Sequence, residues 1–141
     1  MRVDALQTDI FKENSAMNIA LWALQILLAL AFGLAGIMKV TQPIDRLETR
    51  MGGWVKDVGP RGVRLIGTLE ILGAIGLILP ALTGILPWLT PLAATCLGLT
   101  MIGAMIAHGR RGEYSSIGIN VVLLLLTLFV AYGRFVIVPI S

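Results

Sequence analysis

Long apolar stretches separated by short polar segments dominate the pattern of the chain. The first stretch runs from Met17 to Met38 and is closed by Lys39. A helix rises about 1.5 Å per residue, so this length crosses a hydrocarbon core of about 30 Å. The stretch is too long for the apolar segment of a cleaved signal peptide, and its leader is net acidic. We therefore expect a retained membrane helix at about 17–39.

The second apolar region, residues 65–107, contains one charged residue, Glu70, and is about twice as long as one membrane span. The chain must therefore reverse inside it. The segment 80–91 contains three prolines and Gly84, which interrupt helical hydrogen bonding. This predicts span two at about 64–80 and span three at about 88–107. A polar turn over 108–116 follows, and span four is predicted at about 117–133.

These patterns predict an all-α membrane protein whose residues 17–138 form an antiparallel bundle of four transmembrane helices. The polar residues 1–16 before it are expected to form a tail, either frayed or folded as an interfacial helix. Between spans one and two, Pro43 suits a first helical turn, and Ile44, Leu47 and Met51 then fall on one face. We predict a short amphipathic helix on the cytoplasmic membrane surface, with a lid over a pocket as the alternative.

Composition supports a lipid environment and limits the chemistry. Hydrophobic residues make up 57% of the 141 residues, charged residues 13%, and the mean hydropathy is +0.89. A soluble domain of this size cannot hide so much apolar surface. The single Cys96 excludes an intrachain disulfide and a Cys-x-x-Cys redox pair, and the single His108 excludes a two-histidine haem. We predict no metal site and no cofactor held by the chain itself.

The basic residues are distributed unevenly between the two predicted membrane faces. Eight of the eleven Lys and Arg residues lie in or beside the 39–64 loop and the 108–116 turn. The positive-inside rule then predicts cytoplasmic loops, with both termini on the non-cytoplasmic side of the cell inner (plasma) membrane. The pI near 9.5 is explained by this topology, so we expect no nucleic-acid partner.

Glu70 is the most informative polar residue because it lies about 9 Å along the predicted span two. An acidic group at mid-membrane costs about 2.5–3.5 kcal/mol, so it must be protonated, paired or open to a water-filled cavity. The antiparallel bundle brings Lys39, His108 and Asn120 to the same half, with Tyr114 just above. We predict a ligand-binding or proton-relay site, with Glu70 as central acceptor, Lys39 as its counter-ion, and the other two completing the hydrogen bonding.

Each of these residues also has a structural explanation. Lys39 could snorkel to the headgroups, His108 could be a helix C-terminal charge, Asn120 could join two helices, and the Glu70–Lys39 pair could simply lock the bundle. Gln25 is expected to serve in packing. Small residues repeated at four-residue spacing predict tight helix contacts and leave a homo-oligomer open.

The sequence resembles the DoxX-like family of small four-span membrane proteins over about residues 17–133. The resemblance rests on Gly33-Leu-Ala-Gly-Ile-Met-Lys39, on the run from Arg64 through Gly67 and Glu70 to Pro80, and on Ala107-His108. It implies a four-helix bundle. The family takes its name from a subunit of a quinone-linked thiosulfate oxidoreductase, and relatives are suggested to assist membrane or redox complexes. No catalytic residue can be carried over; Lys39, Glu70 and His108 match recurring polar positions.

Three functions remain open at this stage. The first is a non-enzymatic scaffold or accessory subunit of a membrane complex, holding a small amphipathic ligand and working with a protein partner in the bilayer. The second is a quinone-interacting subunit of a membrane oxidoreductase, with electrons supplied by that partner. The third is a proton-coupled carrier of a small solute, with Glu70 as the titrating group. By itself the chain is not expected to be an enzyme.

Overall fold

The computed structural model describes residues 2–140, which are helical almost throughout and contain no strand. The helices are α1 (Arg2–Thr41), α2 (Ile44–Met51), α3 (Trp54–Thr83), α4 (Leu89–Arg110) and α5 (Tyr114–Tyr132), and α5 continues as a π-helix over Gly133–Ile137. Within this described part, α1, α3, α4 and the α5 segment are long and apolar enough to cross a membrane. The predicted all-helical, four-span class is confirmed.

Helix α1 begins far ahead of the predicted first span. It is continuous from Arg2 to Thr41, which corresponds to a length of about 60 Å. The sequence contains no proline and no glycine before Gly33, so nothing stops the helix in the polar segment. Residues 3–16 are exposed along their whole length. The segment predicted as a polar tail is therefore, from Arg2 onward, a helical extension of span one.

The connection between α1 and α3 is compact. Pro43 precedes the first turn of α2, and the buried side chain of Leu47 packs with Trp54, Val55 and Val63. Helix α3 begins at Trp54, earlier than the predicted start at 64, and consists of two helical segments that meet at a kink at Gly59. Gly59 has a φ of 78° and a ψ of 168°, outside the helical region. The chain therefore bends there before the straight part of α3.

The predicted reversal between spans two and three is a tight turn. Gly84 closes α3 in the left-handed conformation, with φ 70°, and its N–H donates to the carbonyl of Pro80 at 3.0 Å. Glycine adopts this conformation without steric cost, which is why it commonly ends helices. Helix α3 therefore ends at Thr83 and α4 begins at Leu89. On the opposite face, a short turn with Gly112 at φ 69° joins α4 to α5.

The helices pack in the order α1, α3, α4 and α5, and the ring closes loosely because α5 has few contacts with α1. The core contains Leu28, Leu77, Leu97 and Val130, one from each spanning helix. The outer surface of the bundle is equally apolar. Residues near the middle of the helices are highly exposed: Leu30 59%, Leu72 59%, Leu99 62% and Leu125 60%. Such side chains are stable facing lipid.

Two glycines allow α1 and α3 to approach closely. A Cβ atom on Gly36 would lie 2.6 Å from the carbonyl oxygen of Gly67, and one on Gly67 would lie 2.8 Å from the carbonyl oxygen of Gly36. No real Cβ is accommodated at such distances from backbone. This backbone contact places the last turn of α1 beside the middle of α3, where the principal polar residues meet.

Candidate functional site

Lys39 and Glu70 form a buried ion pair between α1 and α3. The Lys39 Nζ atom donates to both carboxylate oxygens of Glu70, at 2.7 Å and 2.6 Å. Lys39 is 7% exposed and Glu70 is 2% exposed. Arg64, one and a half turns before Glu70, donates from Nη1 to the main-chain carbonyl of Lys39 and so fixes the end of α1. The structure thus makes Lys39 the direct partner of Glu70.

This pairing makes the two charges tolerable inside the membrane. Each alone would carry a large desolvation penalty, which the mutual attraction at contact distance offsets. A carboxylate offers about four lone-pair positions, and the ammonium occupies one on each oxygen. Glu70 therefore retains acceptor capacity, while the pair as a whole is electrically neutral.

A cavity of about 530 Å³ lies beside the ion pair. Its walls come from all five helices and are mainly apolar, with Phe32 of α1, Trp54 and Ile66 of α3, Met101 of α4 and Leu123 of α5 among them. Lys39, Glu70, His108 and Asn120 also line it. The volume and the lining of this cavity match those of the usual small-molecule sites in proteins, which are apolar clefts with a few polar groups.

Part of the cavity lining is exposed. Ala31 of α1, Gly103 of α4 and Ile119 of α5 line the cavity and are also exposed. All three belong to segments that are apolar enough to span the membrane. Helices α1 and α5, which carry Ala31 and Ile119, make few contacts with each other.

Asn120 is a buried side chain without a hydrogen-bond partner. It lies in α5, lines the cavity and is 8% exposed. Its Nδ2 atom, which carries two N–H donors, is fully buried and bonds to no other described group. An unsatisfied buried amide is costly, so a native structure that retains one calls for an explanation. The cavity supplies the space in which an acceptor would bind it.

His108, also a cavity residue, is held by Glu113 in the turn after α4. The His108 Nδ1 atom lies 2.6 Å from Glu113 Oε2, and the imidazole contacts the Trp54 ring edge-on at a centroid distance of 6.0 Å. Glu113 also accepts the N–H of Gly53 at 3.2 Å and Arg111 Nε at 3.2 Å. The hydrogen bond from His108 is the main cause that lowers the pKa of the Glu113 carboxyl below its usual value. The hydrogen bonds from Gly53 and Arg111 lower this pKa further.

This network joins the two connections at one face of the membrane. Glu113 comes from the α4–α5 turn, whereas Gly53 and Trp54 belong to the α2–α3 connection. Arg111 extends the network to Asp57 at 2.7 Å. Because Trp54 is also a wall of the cavity, Glu113 helps to hold that wall in place.

The site differs from the sequence prediction in two respects. The hydrogen bonds expected from His108 and Asn120 to the ion pair are not formed among the described residues, since His108 bonds to Glu113 and Asn120 Nδ2 bonds to nothing. Tyr114 is 77% exposed and does not line the cavity. The structure thus brings Lys39, Glu70, His108 and Asn120 to one cavity and leaves Tyr114 outside it.

A second polar cluster lies in the opposite half of the bundle. The Arg134 side chain, 3% exposed, donates from Nε to Gln25 Oε1 at 2.7 Å and from Nη1 to Asn18 Oδ1 at 2.7 Å. Gln25 in turn donates to the carbonyl of Leu77 at 2.6 Å. The guanidinium also lies 5.6 Å from the Trp22 ring centroid. The cluster thereby joins α1, α3 and the π-helix after α5.

The predicted end of span four, at about residue 133, lies directly before Arg134. One signal could have corrected it, since the apolar run Phe135-Val-Ile-Val-Pro-Ile140 follows this arginine directly. An arginine inside an apolar segment is expected to turn inward and find acceptors. Gln25, predicted to serve in packing, is one of those acceptors.

No group of three or more His, Cys, Asp or Glu side chains is placed to hold a metal ion in residues 2–140. Together, the fold and the site define a multi-pass membrane protein with a largely apolar cavity beside a buried ion pair. The chain belongs to the DoxX-like family, whose family model matches residues 23–130. No curated protein and no solved structure matches the chain.

Proposed function

We propose that this DoxX-like protein binds a small amphipathic molecule within the bilayer and acts as a non-enzymatic accessory protein of a membrane complex. The observation that carries the proposal is the unpartnered Asn120 amide, buried in the wall of a largely apolar cavity. A molecule with an apolar body and a hydrogen-bond acceptor matches this wall. The neutral Lys39–Glu70 pair adds a polar surface without adding a net charge.

We infer that the cavity opens sideways between α1 and α5, which favours a ligand that comes from the lipid phase. Ala31, Gly103 and Ile119 line the cavity, are exposed, and belong to helices that are long and apolar enough to span a membrane. A water-soluble solute would have to cross the lipid, whereas an amphipathic one is already dissolved in it. The proposal therefore favours a lipid-like ligand over a soluble metabolite.

A cavity-filling variant tests the proposal. Gly103 lines the cavity, and a Cβ placed on it meets no atom within 4 Å, so we expect the larger side chain of Gly103→Leu to occupy cavity space. Gly118→Leu is the matched control, because Gly118 also faces open space but does not line the cavity. The measurement is mass spectrometry of lipophilic molecules that copurify with the protein in mild detergent.

We expect a defined small molecule with the wild-type protein and with Gly118→Leu, and its loss from Gly103→Leu at equal thermal stability. The proposal is wrong if all three proteins carry the same molecules in the same amounts. It is equally wrong if the wild-type protein carries only bulk lipid.

A quinone is a second candidate ligand, and His108 is the observation that favours it. Its Nδ1 atom bonds to the partly exposed Glu113, so the ring lies between the cavity and an aqueous carboxylate. The residues fit a quinone headgroup, with the Asn120 amide as a donor for one carbonyl and His108 as a group that can hold a proton beside it. A quinone would supply two-electron redox chemistry, with the electrons provided by a partner protein.

Extraction and chromatography of the copurified lipids separate this candidate from the general proposal. A quinone present at near one equivalent, and reduced in amount by His108→Phe but not by Tyr114→Phe, supports the redox subunit. A defined ligand that is not a quinone contradicts it and leaves the general proposal standing.

A further inference from the structure

The polar side chains that line the cavity divide into committed ones, which hydrogen-bond to another described residue, and uncommitted ones, which do not. The committed groups hydrogen-bond to described residues: Lys39 to Glu70, His108 to Glu113, and the Thr100 hydroxyl to the carbonyl of Leu97. The uncommitted groups are, in contrast, rich in donors. They are Arg50, Ser116 and Asn120, none of which makes a side-chain hydrogen bond to a described residue.

Arg50 is the charged member of this uncommitted set. It lies in the last turn of α2, lines the cavity and is exposed. No described carboxylate lies within ion-pair distance of it, although Glu48 pairs with Lys56 at 2.6 Å close by. The remaining charges of the wall cancel in the Lys39–Glu70 pair. Among the lining residues, all of them described, Arg50 therefore carries a positive charge that no described carboxylate balances.

The position of Arg50 fixes which end of a ligand it would meet. Helix α2 lies in the connection between α1 and α3, at the end of the bundle that also carries the α4–α5 turn, where Glu113 bonds to Gly53. The apolar walls formed by Phe32 and Met101 lie deeper in the bundle. A ligand that fills the cavity would place its tail among these side chains and its headgroup beneath Arg50.

We propose that the ligand is a single-chain amphiphile with an oxyanionic headgroup, a carboxylate or a phosphate, and that Arg50 is the residue that selects it. This inference rests on the proposed ligand-binding function and specifies its ligand class. A guanidinium presents a planar fork of donors that matches both oxyanions. The Asn120 amide supplies a further donor, and the wall offers no uncompensated negative charge that would repel the headgroup.

Three probes of equal chain length test the headgroup, namely dodecanoate, dodecyl phosphate and dodecanol. The full chain is reconstituted in phosphatidylcholine nanodiscs, equilibrated with an equimolar mixture at a pH where the carboxylate is ionised, and freed of unbound probe. The retained probes are then quantified by mass spectrometry. Nanodiscs that contain Gly103→Leu give the background of probe dissolved in lipid.

The variants are Arg50→Gln and Arg46→Gln. Both arginines are exposed residues of α2, but Arg46 does not line the cavity. We expect the wild-type protein and Arg46→Gln to retain an oxyanionic probe about tenfold better than dodecanol, the effect of one charge-assisted hydrogen-bonded contact. Arg50→Gln should lose this preference and retain dodecanol as before, which also shows that its cavity is intact.

The outcomes separate the two proposals. Equal retention of dodecanol and the oxyanionic probes by the wild-type protein overturns the assigned ligand class and leaves amphiphile binding in place. Persistence of the preference in Arg50→Gln overturns the role of Arg50. Retention of every probe at the Gly103→Leu background overturns both proposals. A preference for one oxyanion alone supports the assignment and identifies the headgroup.

Discussion

Lys39 and Arg134 are both buried, yet the charges of their partners differ. Lys39 contacts a carboxylate through two hydrogen bonds, whereas Arg134 donates to the neutral side-chain oxygens of Gln25 and Asn18. The first arrangement cancels a charge, and the second only solvates one. Removing a single partner therefore has different consequences at the two ends of the bundle.

The Lys39–Glu70 pair should behave as a coupled unit. Glu70→Gln alone, or Lys39→Met alone, leaves a buried charge without its partner, and we expect each to reduce the free energy of unfolding by about 3–5 kcal/mol. The double variant removes both charges and should recover much of that loss. Unfolding of the four proteins of this cycle in detergent gives the coupling energy. Strictly additive losses would contradict direct pairing.

The hydrogen bonds to Glu113 predict an acid-dependent stability. The pKa of Glu113 is lower in the folded than in the unfolded state, chiefly through the bond from His108. The stabilising contribution of these hydrogen bonds is therefore complete above the ordinary glutamate pKa of about 4.3. It is lost as the pH falls through the lowered pKa that Glu113 has in the folded state. We expect Glu113→Gln to melt below the wild-type temperature at neutral pH, with the difference shrinking on acidification through this window.

Glu13→Gln is the control for this experiment, since Glu13 is an exposed carboxylate in the extension of α1. Its melting temperature should stay close to that of the wild type across the same pH range. A difference between Glu113→Gln and the wild type that is constant with pH would show that the carboxylate charge is not the stabilising feature.

At the scale of the helices, the α1–α3 crossing depends on missing side chains. A methyl group on Gly36 would lie 2.6 Å from the Gly67 oxygen and 2.8 Å from Cγ1 of Ile71. Gly36→Ala should therefore separate the helices and reduce the free energy of unfolding by about 1–3 kcal/mol. Gly118→Ala meets nothing within 4 Å and should be neutral or slightly stabilising. Thermal melts in detergent distinguish these outcomes.

The number of spanning helices could be predicted from the sequence, but some of their ends could not. Apolar runs and the proline-rich reversal predict four spans because membrane length and backbone hydrogen bonding are strict constraints. Neither constraint applies to the polar start of α1, because it lies outside the apolar span. Its helical state from Arg2 therefore depends on the absence of a helix breaker. The short helical segment from Trp54 to the kink at Gly59 contains no apolar run, so the sequence did not indicate it.

The pairing of Lys39 with Glu70 could be predicted from the sequence, but the hydrogen bond of His108 and the position of Tyr114 outside the cavity could not. Depth along each span places Lys39, Glu70, His108 and Asn120 in one half of an antiparallel bundle. Helix rotation then decides which of them meet, and this depends on packing among many apolar side chains of similar character. The sequence therefore gave no indication that His108 would bond to Glu113, five residues away in the following turn.

At the scale of the whole molecule, the charge distribution predicts the orientation in the membrane. With four spans, the N-terminal end of α1 and the C-terminal end of α5 lie at one face of the membrane, and the two basic connections lie at the other. Eight of the eleven basic residues lie on the side of these connections. We expect the connections in the cytoplasm and both termini outside.

Single-cysteine labelling checks this orientation. The exposed Cys96 is first removed as Cys96→Ser, and a cysteine is placed at Ser15 or at Thr49, both of which are exposed. A membrane-impermeant maleimide should label Ser15→Cys in intact cells and Thr49→Cys only after permeabilisation. The reverse pattern would contradict the predicted orientation.

The sideways opening proposed between α1 and α5 determines how the occupancy of the cavity by its ligand would respond to the amount of membrane. A ligand that enters through Ala31, Gly103 and Ile119 exchanges with a two-dimensional reservoir, so its mole fraction in the lipid sets the occupancy. Adding protein-free vesicles would dilute that reservoir and empty the cavity at constant total ligand. A cell could thus regulate such a protein by enlarging or remodelling its membrane, with no change in the supply of the ligand.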